Sequence, residues 1–173
     1  SRRQRQMCIR DRVITDIPRL PIGILTADCA PILIFDKQKK MVAAIHAGWK
    51  GAYKGIISKV INFMIKKGCE KKNIIAVIGP CIAQKSYNVK EDFRGKFLKK
   101  DKRNKVFFKK RKNLIYFDLS KYVKLQLKLM KITNLETINI DTFPKKNNFF
   151  SARRSLHLNH DDYGRNISLI MIN

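Results

Sequence analysis

Residues 22–54, IGILTADCAPILIFDKQKKMVAAIHAGWKGAYK, place a cysteine at the end of one apolar run, a histidine at the end of another, and a glycine-rich turn at the head of a helical pattern. Three short runs rich in Ile, Leu and Val, at Ile22–Thr26, 31–35 and 41–46, have the length of strands. The polar link 36–40 is short enough to close a hairpin, and the link 27–30 is equally short. An up, down, up order in one sheet results, which brings Cys29 and His46 to the same rim. After His46, the glycines Gly48, Gly51 and Gly55 punctuate a run whose apolar positions, Ala52, Ile56, Val60, Phe63 and Met64, have helical spacing. One helix is expected from Trp49 or Lys50 to the lysines before Gly68, where glycine permits a left-handed cap. Its start, beside the thiol and imidazole, offers free N–H groups and a partial positive charge.

Residues 74–79 read as the next strand, entered by a right-handed crossover and parallel to the strand that ends at His46. Its end carries Cys81 to the same rim. Cys69 reads as a surface residue in a charged turn. Residues 91–99 form an amphipathic helix with Phe93 and Phe97 on one face; 99–112 is a basic, exposed excursion whose Phe107 and Phe108 serve as core plugs. A strand at 115–117 leads to Asp118 or Ser120 as cap of a helix carrying Leu119, Tyr122, Val123, Leu127 and Met130. Further strands are expected at 135–140, at 149–154 and at 167–172, the last closing the sheet. On a strand, Arg153 and Arg154 would point to opposite faces, so one at most serves a given pocket; Arg153 is either a pocket residue or half of an ion pair. The segment 157–162, HLNHDD, reads as a solvated loop. Hairpins and crossovers together give a mixed-sheet α/β (α+β) domain.

The 173 residues suffice for one domain with a sizeable core. No apolar run approaches 18 residues, which argues against a transmembrane helix, and no signal peptide is visible. Four cysteines, Cys8, Cys29, Cys69 and Cys81, show neither zinc-ribbon nor disulfide spacing, which fits a reducing, cytoplasmic setting. The net charge of +25 is spread along the chain without an RNA-binding or helix-turn-helix pattern, so nucleic-acid binding is disfavoured against a solvated lysine-rich surface. That charge should still attract small anions. Residues 1–12, SRRQRQMCIRDR, differ in character from the rest of the chain, and 7–12 resembles the translation of a sequencing adaptor. We expect a non-native arm there and a single domain over 13–173.

A thiol and an imidazole at one rim admit three readings: a metal site, since both suit zinc; a cysteine nucleophile with a histidine base; or a buried thiol beside a satisfied histidine. Asp28 can orient His46, accept a proton or cap its turn. Spacing alone leaves these open.

The motifs TADCAPILIFD and AAIHAGWKGAYKG, with IGPCIAQKSYNV (78–89), YFDL (116–119), FFSARR (149–154) and DYGR (162–165) further along, resemble the purine nucleoside phosphorylases of the laccase-domain, or polyphenol-oxidase-like, family. Asp141-Thr142 stands where many of those relatives have Cys-Thr. The resemblance implies the layered α/β sandwich shared with the cytotoxic-necrotising-factor catalytic domain. It also implies zinc, phosphorolysis of adenosine, inosine or guanosine to base and ribose 1-phosphate, and related deamination of adenosine and cleavage of methylthioadenosine. It makes Cys29 and His46 metal ligands and implies a third, a histidine, from a segment upstream of the ADC motif. No histidine precedes His46, so that ligand is expected upstream of this chain. The resemblance places Cys81, Ser86 and Tyr87 near the substrate. Phosphate needs a cationic seat, for which the N–H groups from Gly48 to Gly51 and the Lys50 ammonium are candidates. Copper is the alternative metal, although one Cys/His cluster lacks the several sites that laccase chemistry requires. A cysteine hydrolase using Cys29 and His46, a peptidoglycan-precursor editing factor and a non-catalytic basic binding module are the other readings. We expect a monomer.

Overall fold

The computed structural model describes residues 11–160 and 163–173. Residues 1–10, with Cys8 and most of the expected arm, and residues 161–162 lie outside the described residues. At the centre is a five-stranded sheet in the order β1 (Arg12–Thr15), β4 (Met41–Ala47), β3 (Ala30–Asp36), β5 (Ile74–Ile78), β9 (Asn134–Thr137). The β3–β4 hairpin is closed by Asp36, whose Oδ1 accepts the N–H groups of Gln38 and Lys39 at 2.9 and 2.7 Å, a local turn that aspartate favours. β5 pairs antiparallel with β3, hence in the direction of β4, and β9 lies parallel to β5, so the sheet is mixed as expected. β1 begins at Arg12, paired with Ile45, inside the stretch 1–12 expected to be an arm.

Period-two alternation sorts the core. Ile32, Ile34, Ala43, Ile45 and Ile78 join the cluster formed with helices α2 (Ile56–Lys66) and α4 (Leu119–Leu129). Leu33, Phe35, Val42 and Ala44 form a second cluster with β2 (Ile22–Thr26) and β10 (Asn166–Ile170). The two clusters define three layers: helices, central sheet, and an antiparallel β2–β10 pair. Here the structure departs from the expected up, down, up sheet. β2 takes its hydrogen bonds from β10 and packs face-on against the central sheet, because the turn at 27–29 carries the chain from one layer to the next.

Four more expectations are corrected. The helix after His46 is two helices, α1 (Trp49–Tyr53) and α2, since Gly55 adopts φ 77°, a left-handed conformation that interrupts the helical ladder. Gly68, at φ 91°, closes α2 as expected. Cys69 is 3% exposed, its Sγ 3.9 Å from Met41 Sδ, rather than on the surface. The stretch 149–154 is no strand. Ser151 caps helix α5 (Ala152–His157), its Oγ accepting the Arg154 N–H at 3.1 Å, so the two arginines lie on one helix. β9 ends at Thr137, short of the expected 135–140.

A side lobe completes the fold. Its three-stranded sheet has the order β6 (Asn88–Val89), β8 (Leu114–Phe117), β7 (Phe108–Arg111), with α3 (Glu91–Lys100) packed on it. Phe97, Phe107 and Phe117 are fully buried in an aromatic cluster where ring centroids of Phe97 and Phe117 are 4.8 Å apart. α4 starts at Asp118, whose carboxylate accepts the Lys121 N–H at 2.8 Å. Among the described residues no helix is long and apolar enough to cross a membrane.

Candidate active site

The turn between β2 and β3 builds the site. Asp28 adopts φ 81°, backbone that aspartate tolerates better than most L-residues. Its buried carboxylate is a hub: Thr142 Oγ1 donates to Oδ1 at 2.7 Å, and Ser151 Oγ and the Arg153 backbone N–H donate to Oδ2 at 3.0 and 2.7 Å. Its carbonyl accepts the Ile82 N–H at 3.0 Å. The turn is thus stapled to the segments after β5 and β9 and to the start of α5. Asp28 holds this frame rather than the His46 ring.

His46 sits on β4, directly across from Pro31 of β3, and its N–H donates to the Asp11 carbonyl at 2.8 Å. Cys29 immediately precedes β3. The two side chains converge over Gly48: a Cβ placed there would lie 2.9 Å from Cys29 Sγ and 3.8 Å from His46 Nε2. Gly48 has φ −70°, which any residue adopts, so glycine is needed here for room. Both groups carry a proton balance set by burial. The Cys29 thiol is pushed up to about 11 by burial, then by Asp28 and Asp11, and His46 is pushed down by burial against an opposing pull from Asp11. At neutral pH the sulfur is a thiol, a poor nucleophile unless a cation or base takes its proton, and the imidazole is neutral with a free lone pair.

A sulfur and an imidazole nitrogen bordering one small space suit zinc or copper. They supply two donors. Among the described residues no group of three or more His, Cys, Asp and Glu side chains could hold a metal, so the residues present fit half of a metal centre. His157 and His160 are exposed, and the His157 ring rests against Phe143 at 5.5 Å.

The other expected residues divide. Cys29, Asp28, Ile82, Tyr87 and Arg153 line a cavity of about 180 Å³ together with Leu156. The Arg153 guanidinium lies over the Tyr87 ring at 5.3 Å and donates to the Asn88 carbonyl at 2.9 Å and to its side chain, with no carboxylate partner among the described residues. Burial pushes the Tyr87 phenol up. Ser86 donates to Asp141 Oδ2 at 2.7 Å, and Asp141 Oδ1 accepts the N–H groups of Ala83 and Phe143, so this pair locks a turn. Cys81, buried and pushed up to about 12, first by burial, lines a separate cavity with Asp118, Lys121 and Lys124. Lys50 is exposed, its Nζ 5.6 Å from the Trp49 ring centroid; the N–H groups of Trp49, Lys50 and Gly51 open α1. The sequence names no role for Thr142, turns Ser151 inward only as part of the expected strand, and names no role for Ile82. The first two flank or belong to segments already singled out, but nothing in their identity names Asp28 as partner.

The family described as multi-copper polyphenol oxidoreductase laccase matches residues 2–173, and the chain belongs to it. The chain is 40% identical over 159 residues to a purine nucleoside phosphorylase of Rickettsia conorii, covering 91% of this chain and 65% of that protein. It is 33% identical over 161 residues to a purine nucleoside phosphorylase of Bacteroides thetaiotaomicron, covering 89% and 60%. Among solved structures it is similar to the hypothetical protein YfiH of Bacillus licheniformis, with TM-score 0.84 and 29% identity, covering 94% of this chain and 61% of that one. The chain therefore spans a little under two thirds of the length of these relatives.

Proposed function

We propose that this chain carries the catalytic corner of a metal-assisted purine nucleoside phosphorylase, acting on adenosine, inosine or guanosine with phosphate. The observation that supports it most is the convergence of Cys29 Sγ and His46 Nε2 over Gly48, in a family whose similar members bear that name. Cys29 and His46 would hold zinc, or copper, together with a histidine from outside the described residues. When bound, such a metal supplies a Lewis acid and a water of lowered pKa, which also suits deamination of adenosine. Tyr87 and Arg153 bound the nucleoside. The N–H groups of residues 49–51 and Lys50 seat phosphate, whose oxygen bonds to ribose C1′ as the bond to the base breaks and the base keeps the electron pair. Cleavage of methylthioadenosine takes the same course. The chemistry fits a cytoplasmic enzyme and needs no nucleic acid.

The test is to incubate a version of the chain that also carries an upstream histidine-bearing segment with zinc, phosphate and inosine, and to follow hypoxanthine and ribose 1-phosphate by chromatography. Turnover is expected, and Cys29→Ala or His46→Ala should abolish it without changing the far-ultraviolet spectrum. Activity that survives a chelator but not thiol alkylation assigns the corner to a cysteine hydrolase instead. Absence of turnover in every nucleoside refutes the proposal.

A further inference from the structure

Beside the small cavity at Cys29 opens a cleft of about 770 Å³, between α1, α3 and the β7–β8 hairpin. Tyr87 and Arg153 line both spaces. The cavity at Cys29 is smaller than the roughly 300 Å³ at which small-molecule pockets begin, so a nucleoside held there must reach past Tyr87 and Arg153 into the cleft. The cleft is cationic. Lys90, Lys96, Lys110 and Arg153 face it, and none of the four has a carboxylate partner among the described residues. Two carboxylates also line it: Glu91 is held by Arg94 at 2.6 Å, which leaves Asp92. Apart from Lys96 and Lys110, residues 96–112 carry eight further basic side chains, all exposed, against the single carboxylate of Asp101. Trp49, edge-on to Phe93 at 4.8 Å, and Tyr87 supply aromatic walls.

We infer that the cleft receives phosphate groups attached to the nucleoside, so that the site takes purine nucleotides in preference to the free nucleosides. This rests on the nucleoside reading of the Cys29 corner. An uncharged nucleoside has no use for four cations that lack a carboxylate partner among the described residues, whereas a diphosphate placed among them gains charge-assisted hydrogen bonds. The occupant is a small molecule, since the cleft has the size of a ligand pocket and shares the walls Tyr87 and Arg153 with the cavity at Cys29.

Trp49 is the only tryptophan in the chain and lines the cleft, so its fluorescence reports occupancy directly. Titrations with adenosine, ADP and a single-stranded oligoadenylate, repeated by calorimetry, test the inference. ADP is expected to bind at least tenfold more tightly than adenosine, with an advantage that shrinks as salt rises. In Lys96→Ala/Lys110→Ala, two exposed changes that leave the core intact, that advantage should vanish while adenosine affinity stays within twofold. Equal affinities for ADP and adenosine, or an advantage that survives the double substitution, overturn the inference. An oligoadenylate bound more tightly per molecule than ADP through the same lysines also overturns it, by giving the cleft to a polymer. Failure of adenosine and inosine to bind or turn over, by contrast, sinks the nucleoside reading itself, whatever ADP does.

Discussion

Asp28 and Gly48 carry the corner for different reasons, one by holding and one by being small. Removing the Asp28 carboxylate strands two hydroxyls and an N–H that it now satisfies, and hydrogen bonds to a charged group are each worth about 1.5–3 kcal/mol without adding fully. Asp28→Ala should cost about 3 kcal/mol, a fall in melting temperature of roughly 6–12 °C for a chain of this length. Asp28→Asn, which keeps an acceptor and tolerates left-handed backbone, should lose about half as much. A drop under about 2 °C for the alanine variant, read by calorimetry, would show that the carboxylate is not the hub of the turn. Gly48→Ala puts a methyl group 2.9 Å from Cys29 Sγ in a conformation alanine adopts freely. The fold should persist while phosphorolysis and zinc uptake fall at least tenfold. Unchanged zinc uptake, followed by a metallochromic dye, would show that the space over Gly48 is not where the donors act.

The ADC and HAGWKG motifs could be read as two apolar runs ending in a thiol and an imidazole because strand length and turn chemistry are local properties. The elements around them were less legible. Helical spacing ran straight through Gly55, since periodicity records which faces are apolar and is silent on a single left-handed residue between two helices. Ala52 belongs to α1 and Ile56 to α2, yet both pack on the same sheet. Gly55→Ala should therefore destabilise by about 1 kcal/mol through backbone strain alone, lowering the melting temperature by roughly 2–4 °C. Stabilisation in its place would mean that the two helices prefer to fuse. The Phe149–Arg154 stretch failed as a strand for a related reason: Ser151 caps a helix through its Oγ and simultaneously donates to Asp28, and only the first of these roles can be seen locally.

At the scale of the molecule the dominating quantity is charge. With +25 net and three ion pairs among the described residues, all between partly or largely exposed groups, the folded chain repels itself at low ionic strength. Raising salt from about 10 mM to 150 mM shortens the screening length from about 30 to 8 Å. The melting temperature should rise by several degrees over that range, as read by differential scanning calorimetry. A fall would mean that attraction among the few acidic groups outweighs the repulsion.

Taken alone, the order of residues determined the strands that flank Cys29 and end at His46, the hairpin between 36 and 40, the cap at Gly68, a cap at either Asp118 or Ser120, and the family signature, all of which depend on neighbours a few positions apart. Tertiary structure decided that β2 leaves the central sheet for β10, that Arg153 and Tyr87 wall the cavity while Ser86 turns to Asp141, and that the lysines of a distant lobe border the same opening. These contacts join residues as many as 125 positions apart, and whether such a pair meets depends on how layers pack and which way a single turn sends the chain.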